Sequence, residues 1–256
     1  MIREPSTDIA ANNEYRPGGG AMFDRIAPRY DAVNRVLSLG MDRSWRKRAV
    51  KALALRDLEN PRILDVACGT GDLSIEILKQ KQQACVVGLD PSPGMLSVLE
   101  TKAERRNLHG RIDFSLGTAE NIPHESASFD GVTIGFGLRN VADRAQALAE
   151  MLRVLVPGRR LVILEFTNPR GGGLAALARF HIRHVVPRIG AVLSGAKEYR
   201  YLQTSIDAFP SAPELVDQIR AAGAQRVWSR PMVMGAVHLF VATRGVSTVA
   251  EPTAAP

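Results

Sequence analysis

The stretch Ile63-Leu-Asp-Val-Ala-Cys-Gly-Thr-Gly-Asp72 decides the fold. Ile63, Leu64 and Val66 make a short apolar run of the kind found in a strand buried on both faces of a parallel sheet. The chain then breaks into a glycine-rich turn. A helical pattern follows from about Asp72. Gly69 and Gly71 carry no Cβ, so the backbone can turn sharply and let a ligand lie against its N–H groups, at the positive end of the next helix. Nineteen residues beyond Gly71, Asp90 closes a second apolar run, Val86-Val87-Gly88-Leu89-Asp90. An acid at that strand end can accept both ribose hydroxyls. Helix N-capping before Pro91 and Pro93 is the other use for it. The two stretches together predict an adenosine-containing ligand.

The loop says which one. A dinucleotide fingerprint needs a third glycine, but Gly69-Thr70-Gly71-Asp72-Leu73 runs on to Ser74. Asp65 and Asp72 would repel a pyrophosphate and suit a ligand with a cationic sulfonium and an ammonium group. The Asp-x-Ala-Cys-Gly-Thr-Gly loop with the distant Asp90 resembles the first two motifs of class I S-adenosylmethionine-dependent methyltransferases.

The rest of the chain supports one α/β domain. From Arg62 strands and helices alternate: strands 62–66, 85–90, 112–116, 130–136 and 160–166, with helices 72–80, 94–107 and 143–155, the last capped by Asp143. Helix 212–222 and strands near 225–229 and 236–243 complete a doubly wound, Rossmann-like, mainly parallel seven-stranded sheet. Residues 22–57 read as a helical cap. Its first helix stripes Tyr30, Asn34 and Leu37; its second starts with Asp42 as N-cap and stripes Trp45, Ala49 and Leu53. Residues 1–21 and 245–256 read as flexible ends around a domain of 22–244. The insert of about 170–210 reads as a lid: Gly171 to Ala196 is apolar but interleaved with Arg179, His181, Arg183, His184 and Arg188, and Tyr199 to Phe209 is irregular.

At 256 residues with 45% hydrophobic content the chain can bury a full core. Two cysteines, no signal peptide and no apolar run near a membrane span predict a cytoplasmic protein without a disulfide. Net charge is +7 and pI about 9.8. Such a charge favours anionic surfaces, whether nucleic acid or the inner leaflet of a membrane, without choosing between them. No metal-ligand pattern is present.

Ligands in doubly wound sheets bind beyond the carboxyl ends of the strands. The loops that converge there contribute Asp65, Gly69, Thr70, Gly71, Asp90, Thr118 and Ala119 as cofactor residues. Gly135-Phe136-Gly137-Leu138-Arg139-Asn140 follows the fourth strand.

A narrower resemblance rests on longer motifs. Phe23-Asp24-x-Ile26-Ala27-x-x-Tyr30-Asp31-x-x-Asn34-x-x-Leu37-Ser38-x-Gly40, then Trp45-Arg46, is similar to the amino-terminal signature of the demethylmenaquinone and polyprenyl-methoxybenzoquinol C-methyltransferase family. Phe136-Gly137-Leu138-Arg139-Asn140-Val141-x-Asp143 resembles its second signature. Leu164-Glu165-Phe166 and Tyr199-x-Tyr201-Leu202-x-x-Ser205-Ile206-x-x-Phe209-Pro210 match as well. The similarity runs from about Phe23 to Arg244. It departs at Thr118, where the family usually has Asp or Asn, at Gly135, where Ser is frequent, and in the approach to His238.

The resemblance implies methyl transfer from S-adenosyl-L-methionine to a ring carbon of a reduced polyprenylated quinone: demethylmenaquinol, or alternatively 2-polyprenyl-6-methoxy-1,4-benzoquinol. By position it implies cofactor contacts from Thr70, Asp90, Thr118 and Ala119. Carbon is a weak nucleophile unless a neighbouring hydroxyl ionises, so the site must favour quinolate, align the ring carbon with the methyl and lose a ring proton. Arg139 would stabilise negative charge or orient a water, Asn140 would bond a ring oxygen, and Tyr30 and Asp31 would close over the ring. Asp31 or His238 would accept the proton. The competing readings are simple packing for Tyr30, a loop-anchoring pair for Arg139 and Asn140, and a structural hydrogen bond for Asp31 and His238. Expected partners are the quinol, a membrane surface met through the 171–196 insert, and a second copy of the chain, but not nucleic acid. A nucleic-acid methyltransferase would carry Pro-Pro-aromatic where Gly135-Phe136-Gly137 stands. A nicotinamide dehydrogenase and a non-catalytic cofactor-binding scaffold are the other readings.

Overall fold

The computed structural model describes residues 19–168 and 196–246. The ends expected to be flexible lie almost wholly outside them, as does the 171–196 insert with its expected membrane contact. In chain order the helices are α1 (Gly20–Leu37), α2 (Asp42–Ala52), α3 (Asp72–Gln80), α4 (Pro93–Arg105), α5 (Arg144–Val154), α6 (Ala196–Asp207) and α7 (Ala212–Ala221). The strands are β1 (Arg62–Val66), β2 (Cys85–Asp90), β3 (Ile112–Leu116), β4 (Phe129–Gly135), β5 (Leu155–Phe166), β6 (Ala224–Met232) and β7 (Val237–Arg244).

The sheet order is β3-β2-β1-β4-β5-β7-β6. The first five strands are parallel, and β7 runs antiparallel between β5 and β6. Order reverses at β1, which pairs with β2 on one side and β4 on the other, and this reversal opens the crevice at the carboxyl ends.

Alternate residues along the strands feed two cores. Leu64, Val132, Ile134, Ile163 and Phe240 pack against Leu148, Met151 and Leu152 of α5 and Leu215 and Ile219 of α7. Ile63, Val86, Val162, Leu164 and Leu239 face the other way, onto Trp45 and Ala49 of α2, Leu73 and Ile77 of α3 and Leu99 of α4. Burial on both faces is why the central strands read as continuous apolar runs.

Three local expectations need correction. Tyr199 to Phe209 is not irregular; it is mostly α6, and Leu202, Ile206 and Phe209 form an i, i+4, i+7 stripe of which Ile206 and Phe209 are buried. Asp42 is not an N-cap. Met41 precedes the helix in αR conformation, and the Asp42 carboxylate instead accepts from Arg35, Ser38 and Arg46. The helix of the cap begins at Gly20, inside the stretch expected to be flexible. A Cβ on Gly20 would stand 2.8 Å from the Pro91 carbonyl oxygen, so α1 starts pressed against the turn after β2.

Candidate active site

The turn after β1 is a strained cradle. Ala67, Gly69 and Gly71 all have positive φ, at 49°, 55° and 79°. Beneath it Asp65 is 1% exposed and holds its place through the Ser74 and Thr133 hydroxyls, which donate to its carboxylate at 2.6 and 2.8 Å. Burial pushes its pKa up to about 6, against the pull of those two hydrogen bonds. Asp90 stands at the end of β2, where the sequence places it. Its two oxygens accept the backbone N–H groups of Gly69 and Ser92, at 2.8 and 2.9 Å. Each oxygen retains a further lone pair for a ribose hydroxyl. Burial, only partly offset by those N–H groups, raises the Asp90 carboxyl to about 6. The helix N-cap is Ser92, whose hydroxyl accepts from Met95 N–H. Cys68 lies on the cradle floor. Burial, together with the Asp90 and Asp65 carboxylates, pushes its thiol well above the usual range.

Asp72 does not face the site as a lone negative charge. Lys102 of α4 reaches it at 2.8 Å, Arg46 at 3.5 Å and Arg35 at 3.8 Å. Burial works to raise its pKa, but these cations outweigh burial and hold it below the usual range. Lys102 also pairs with Asp31 and donates to the Thr70 hydroxyl, which donates in turn to Asp31 at 2.6 Å. The Thr70 hydroxyl is therefore committed within the protein. Nearby, Asp24 accepts from the Ser92 hydroxyl and Gly94 N–H, at 2.6 and 2.8 Å. Two residues of α1, Asp31 and Arg35, thus tie the cap to the cradle by polar contacts, and a third, Asp24, ties it to the turn after β2.

The opposite wall is built on β4 and β5. Phe136 takes φ of +59° just past β4, and its ring meets Phe166 at 4.7 Å and Trp45 at 6.1 Å between centroids. In the one-turn 3-10 helix that follows, Arg139 donates to Glu165 at 2.7 Å and to the Phe136 carbonyl at 2.5 Å. Glu165 is fully buried and also accepts the Arg139 and Phe166 backbone N–H groups. Asn140 accepts from the Tyr201 hydroxyl at 2.9 Å, which joins α6 to this wall.

Cradle, cap and aromatic wall enclose one cavity of about 570 Å3, within the range of small-molecule sites. Of the expected site residues, Gly69, Thr70, Tyr30 and Arg139 line it. Asp31 and Asn140 stand behind it, in hydrogen bonds to Thr70 and Tyr201. Asp65, Gly71, Asp90, Thr118 and Ala119 lie outside its wall; Ala119 is 6% exposed and packs into the sheet core. His238 is directed to the Phe240 face of β7. Its Nδ1 is 2.7 Å from the Thr167 hydroxyl, its ring stacks on Phe240, and burial lowers its pKa. Its neighbours Ala236 and Val237 line the cavity instead.

The residues present suit S-adenosylmethionine. A Cβ built on Gly69 would meet nothing within 4 Å, so the cradle leaves open space above its backbone, and the Gly69 N–H is bonded to the Asp90 carboxylate. Lys102, Arg46 and Glu165 were missed as site residues. Glu165 had a readable signal, a single acid in the apolar strand Leu161-Val-Ile-Leu-Glu165-Phe, which demands a cation when buried. Lys102 had none, because its three partners come from distant segments.

Similarity to known proteins agrees with this geometry. Residues 10–244 match the model of the ubiE/COQ5 methyltransferase family. The chain is 48% identical over 221 residues to the demethylmenaquinone methyltransferase of Deinococcus radiodurans, covering 86% of this chain and 90% of that protein. It is 43% identical over 237 residues to the ubiquinone/menaquinone biosynthesis C-methyltransferase UbiE of Syntrophotalea carbinolica, covering 92% and 98%. Among solved structures, a SAM-dependent methyltransferase of Thermotoga maritima shares the fold at 20% identity, with a TM-score of 0.59 over 88% of this chain and 99% of that one.

Proposed function

The chain belongs to the ubiE/COQ5 methyltransferase family, and on that premise we propose that it methylates a ring carbon of demethylmenaquinol to give menaquinol. It is a class I S-adenosylmethionine-dependent C-methyltransferase. The reading is carried by one observation: a single cavity runs from the Gly69–Thr70 cradle to a wall of Trp45, Phe136, Phe166 and Arg139. A flat aromatic ring held there lies next to the place where the cofactor methyl would be. The benzoquinol of ubiquinone synthesis remains the second substrate, favoured by the name of the Syntrophotalea relative.

When bound, S-adenosylmethionine supplies an electrophilic methyl on a sulfonium that leaves as a neutral thioether. The chain's own residues do the rest. Asp90, which already accepts the Gly69 and Ser92 N–H groups, presents its remaining lone pairs as acceptors at the cradle. Trp45, Phe136 and Phe166 give the ring a stacking surface and exclude water. Arg139 places positive charge on the wall, where it lowers the cost of ionising a ring hydroxyl; Glu165 fixes its direction and moderates its strength. Tyr30 lines the cavity from the cap helix α1, and its hydroxyl can bond a ring oxygen. Ile26, Val33, Ile206 and Val233 line the remainder and suit the isoprenoid stem. No helix among the described residues is long and apolar enough to cross a membrane, and contact with the tail's home bilayer would be peripheral.

The test is direct. Purified protein, S-adenosylmethionine and chemically reduced demethylmenaquinone should give the methylated quinol by mass spectrometry, while the oxidised quinone should stay unchanged. Methylation of the benzoquinol alone would overturn the substrate assignment, and methylation of neither would overturn the function.

A further inference from the structure

Six large apolar side chains stand exposed among the described residues: Val36, Leu39, Met41, Trp228, Met234 and Val246. Trp228 lies on edge strand β6 and Val246 follows β7. The other four sit near or in two turns that border the cavity. One is the α1–α2 corner, where Ser38 and Met41 are wall residues; the other joins β6 to β7, where Val233 is a wall residue. Leu39 is 69% exposed and Met234 50%. Both are also held in the left-handed region, with φ of 51° and 56°, and Val233 beside Met234 has φ of 49°. Each such L-residue is strained there, which asparagine or glycine would relieve. Neither Leu39 nor Met234 packs into either core. Two turns almost two hundred residues apart therefore each hold a strained apolar side chain in water at the rim of one cavity, where an apolar partner would remove its exposure and offset the strain.

The charge beside this rim is one-sided. α2 turns Trp45, Ala49 and Val50 inward and exposes Arg43, Lys47, Arg48 and Lys51. α1 adds exposed Arg25 and Arg29. The acids nearby are engaged: Asp42 with Arg35 and Arg46, Asp31 with Lys102 and Thr70, Asp24 with Ser92 and Gly94, and Asp57 with Arg159.

We propose that the α1–α2 corner and the Met234 turn form a docking surface for an anionic lipid bilayer, with Leu39, Met41 and Met234 entering the acyl boundary and the α2 cations meeting the headgroups. Apolar tips flanked by lysine and arginine are the composition that holds a protein in such an interface. The proposal rests on a long-tailed quinol as substrate, because docking this way turns the cavity mouth toward the phase in which that tail dissolves.

The full chain should sediment with vesicles of equal parts phosphatidylglycerol and phosphatidylcholine, less so as salt rises, and weakly with phosphatidylcholine alone. Leu39→Asn with Met234→Asn suits the left-handed backbone, so this variant should fold at least as well while its vesicle affinity falls roughly tenfold or more. Arg43→Glu with Lys47→Glu should lose a similar factor. Both should methylate a singly prenylated, water-dispersed quinol at the wild-type rate. Wild-type sedimentation by both double variants would overturn the proposal. So would a change of oligomeric mass in the asparagine variant without loss of sedimentation, since the corner would then meet a second copy. Absence of methyl transfer to the short-tailed quinol by the wild type would count against the function and leave the vesicle result standing.

Discussion

Glu165 holds Arg139 twice, through its guanidinium at 2.7 Å and its backbone N–H at 3.1 Å, and does so with no exposure of its own side chain. Side chain and turn are fixed together, so the direction of the guanidinium and the conformation of the 3-10 helix cannot vary independently. Removing one partner of such a pair leaves a charge buried without compensation. Glu165→Ala should destabilise the fold by about 3–5 kcal/mol in urea unfolding. Arg139→Met should do less damage to stability, because Glu165 keeps two backbone donors, yet it should lower kcat more than it raises KM for cofactor.

The two cradle glycines should respond differently to the same substitution. A Cβ on Gly71 would stand 2.0 Å from Leu99 Cδ1, with φ at +79°, so Gly71→Ala must displace part of the core. We expect a loss of about 2–4 kcal/mol in stability from overpacking and strain. A Cβ on Gly69 meets nothing. Gly69→Ala should unfold within about 1–2 kcal/mol of the wild type but bind S-adenosylmethionine much more weakly by calorimetry, because the methyl enters the space left for it.

Asp90 and Asp65 both titrate near pH 6, and for the same first reason, burial. The ionised Asp90 is the form that accepts a ribose hydroxyl, so cofactor affinity should fall as pH drops below about 6. Asp90→Asn should bind less tightly throughout and lose most of that slope. The stability effect of Asp65 has the opposite sign. Its folded pKa lies above the unfolded value of 3.8, so its contribution is fully present below that value and is lost as pH rises through about 6. Asp65→Asn should therefore gain stability relative to the wild type between pH 4 and pH 7 in denaturant titrations. A constant difference across that window would contradict the assignment.

Lys102 joins three groups that sequence keeps apart, Thr70, Asp72 and Asp31. Lys102→Met should leave the sheet core intact, since Lys102 belongs to neither apolar cluster, and should lower melting moderately, since two part-buried acids lose their partner. Cofactor Kd should rise about tenfold, as the cradle loses one of its ties to α1. Lys102→Arg should recover part of the loss; full wild-type affinity in the Met variant would show that the contact is incidental.

The sheet was legible because buried parallel strands write themselves as apolar runs, and because Gly69, Gly71 and Asp90 occupy the few positions where backbone geometry leaves little choice. The cradle's second layer was not. That Asp42 would serve a charge cluster rather than cap α2 depends on Arg35 and Arg46 arriving from either side, which no local pattern encodes. α6 was misread because its aromatic and polar residues mask a stripe carried by Leu202, Ile206 and Phe209. His238 carries the chemistry of a base in sequence, but its position in β7 sends it to the sheet face away from Val237, and alternation of side chains along a strand is what decides that.

Cys68 sits on the floor of a chamber that we assign to quinols, and any quinol preparation contains its oxidised partner. A quinone is a soft electrophile that adds thiolates across its ring, and such an adduct would end turnover. Burial and two flanking carboxylates keep this sulfur protonated far into the alkaline range. Of the two, Asp90 is the acid assigned to the methyl donor, so one carboxylate would serve cofactor binding and also help shield the enzyme from inactivation by its own substrate's redox partner.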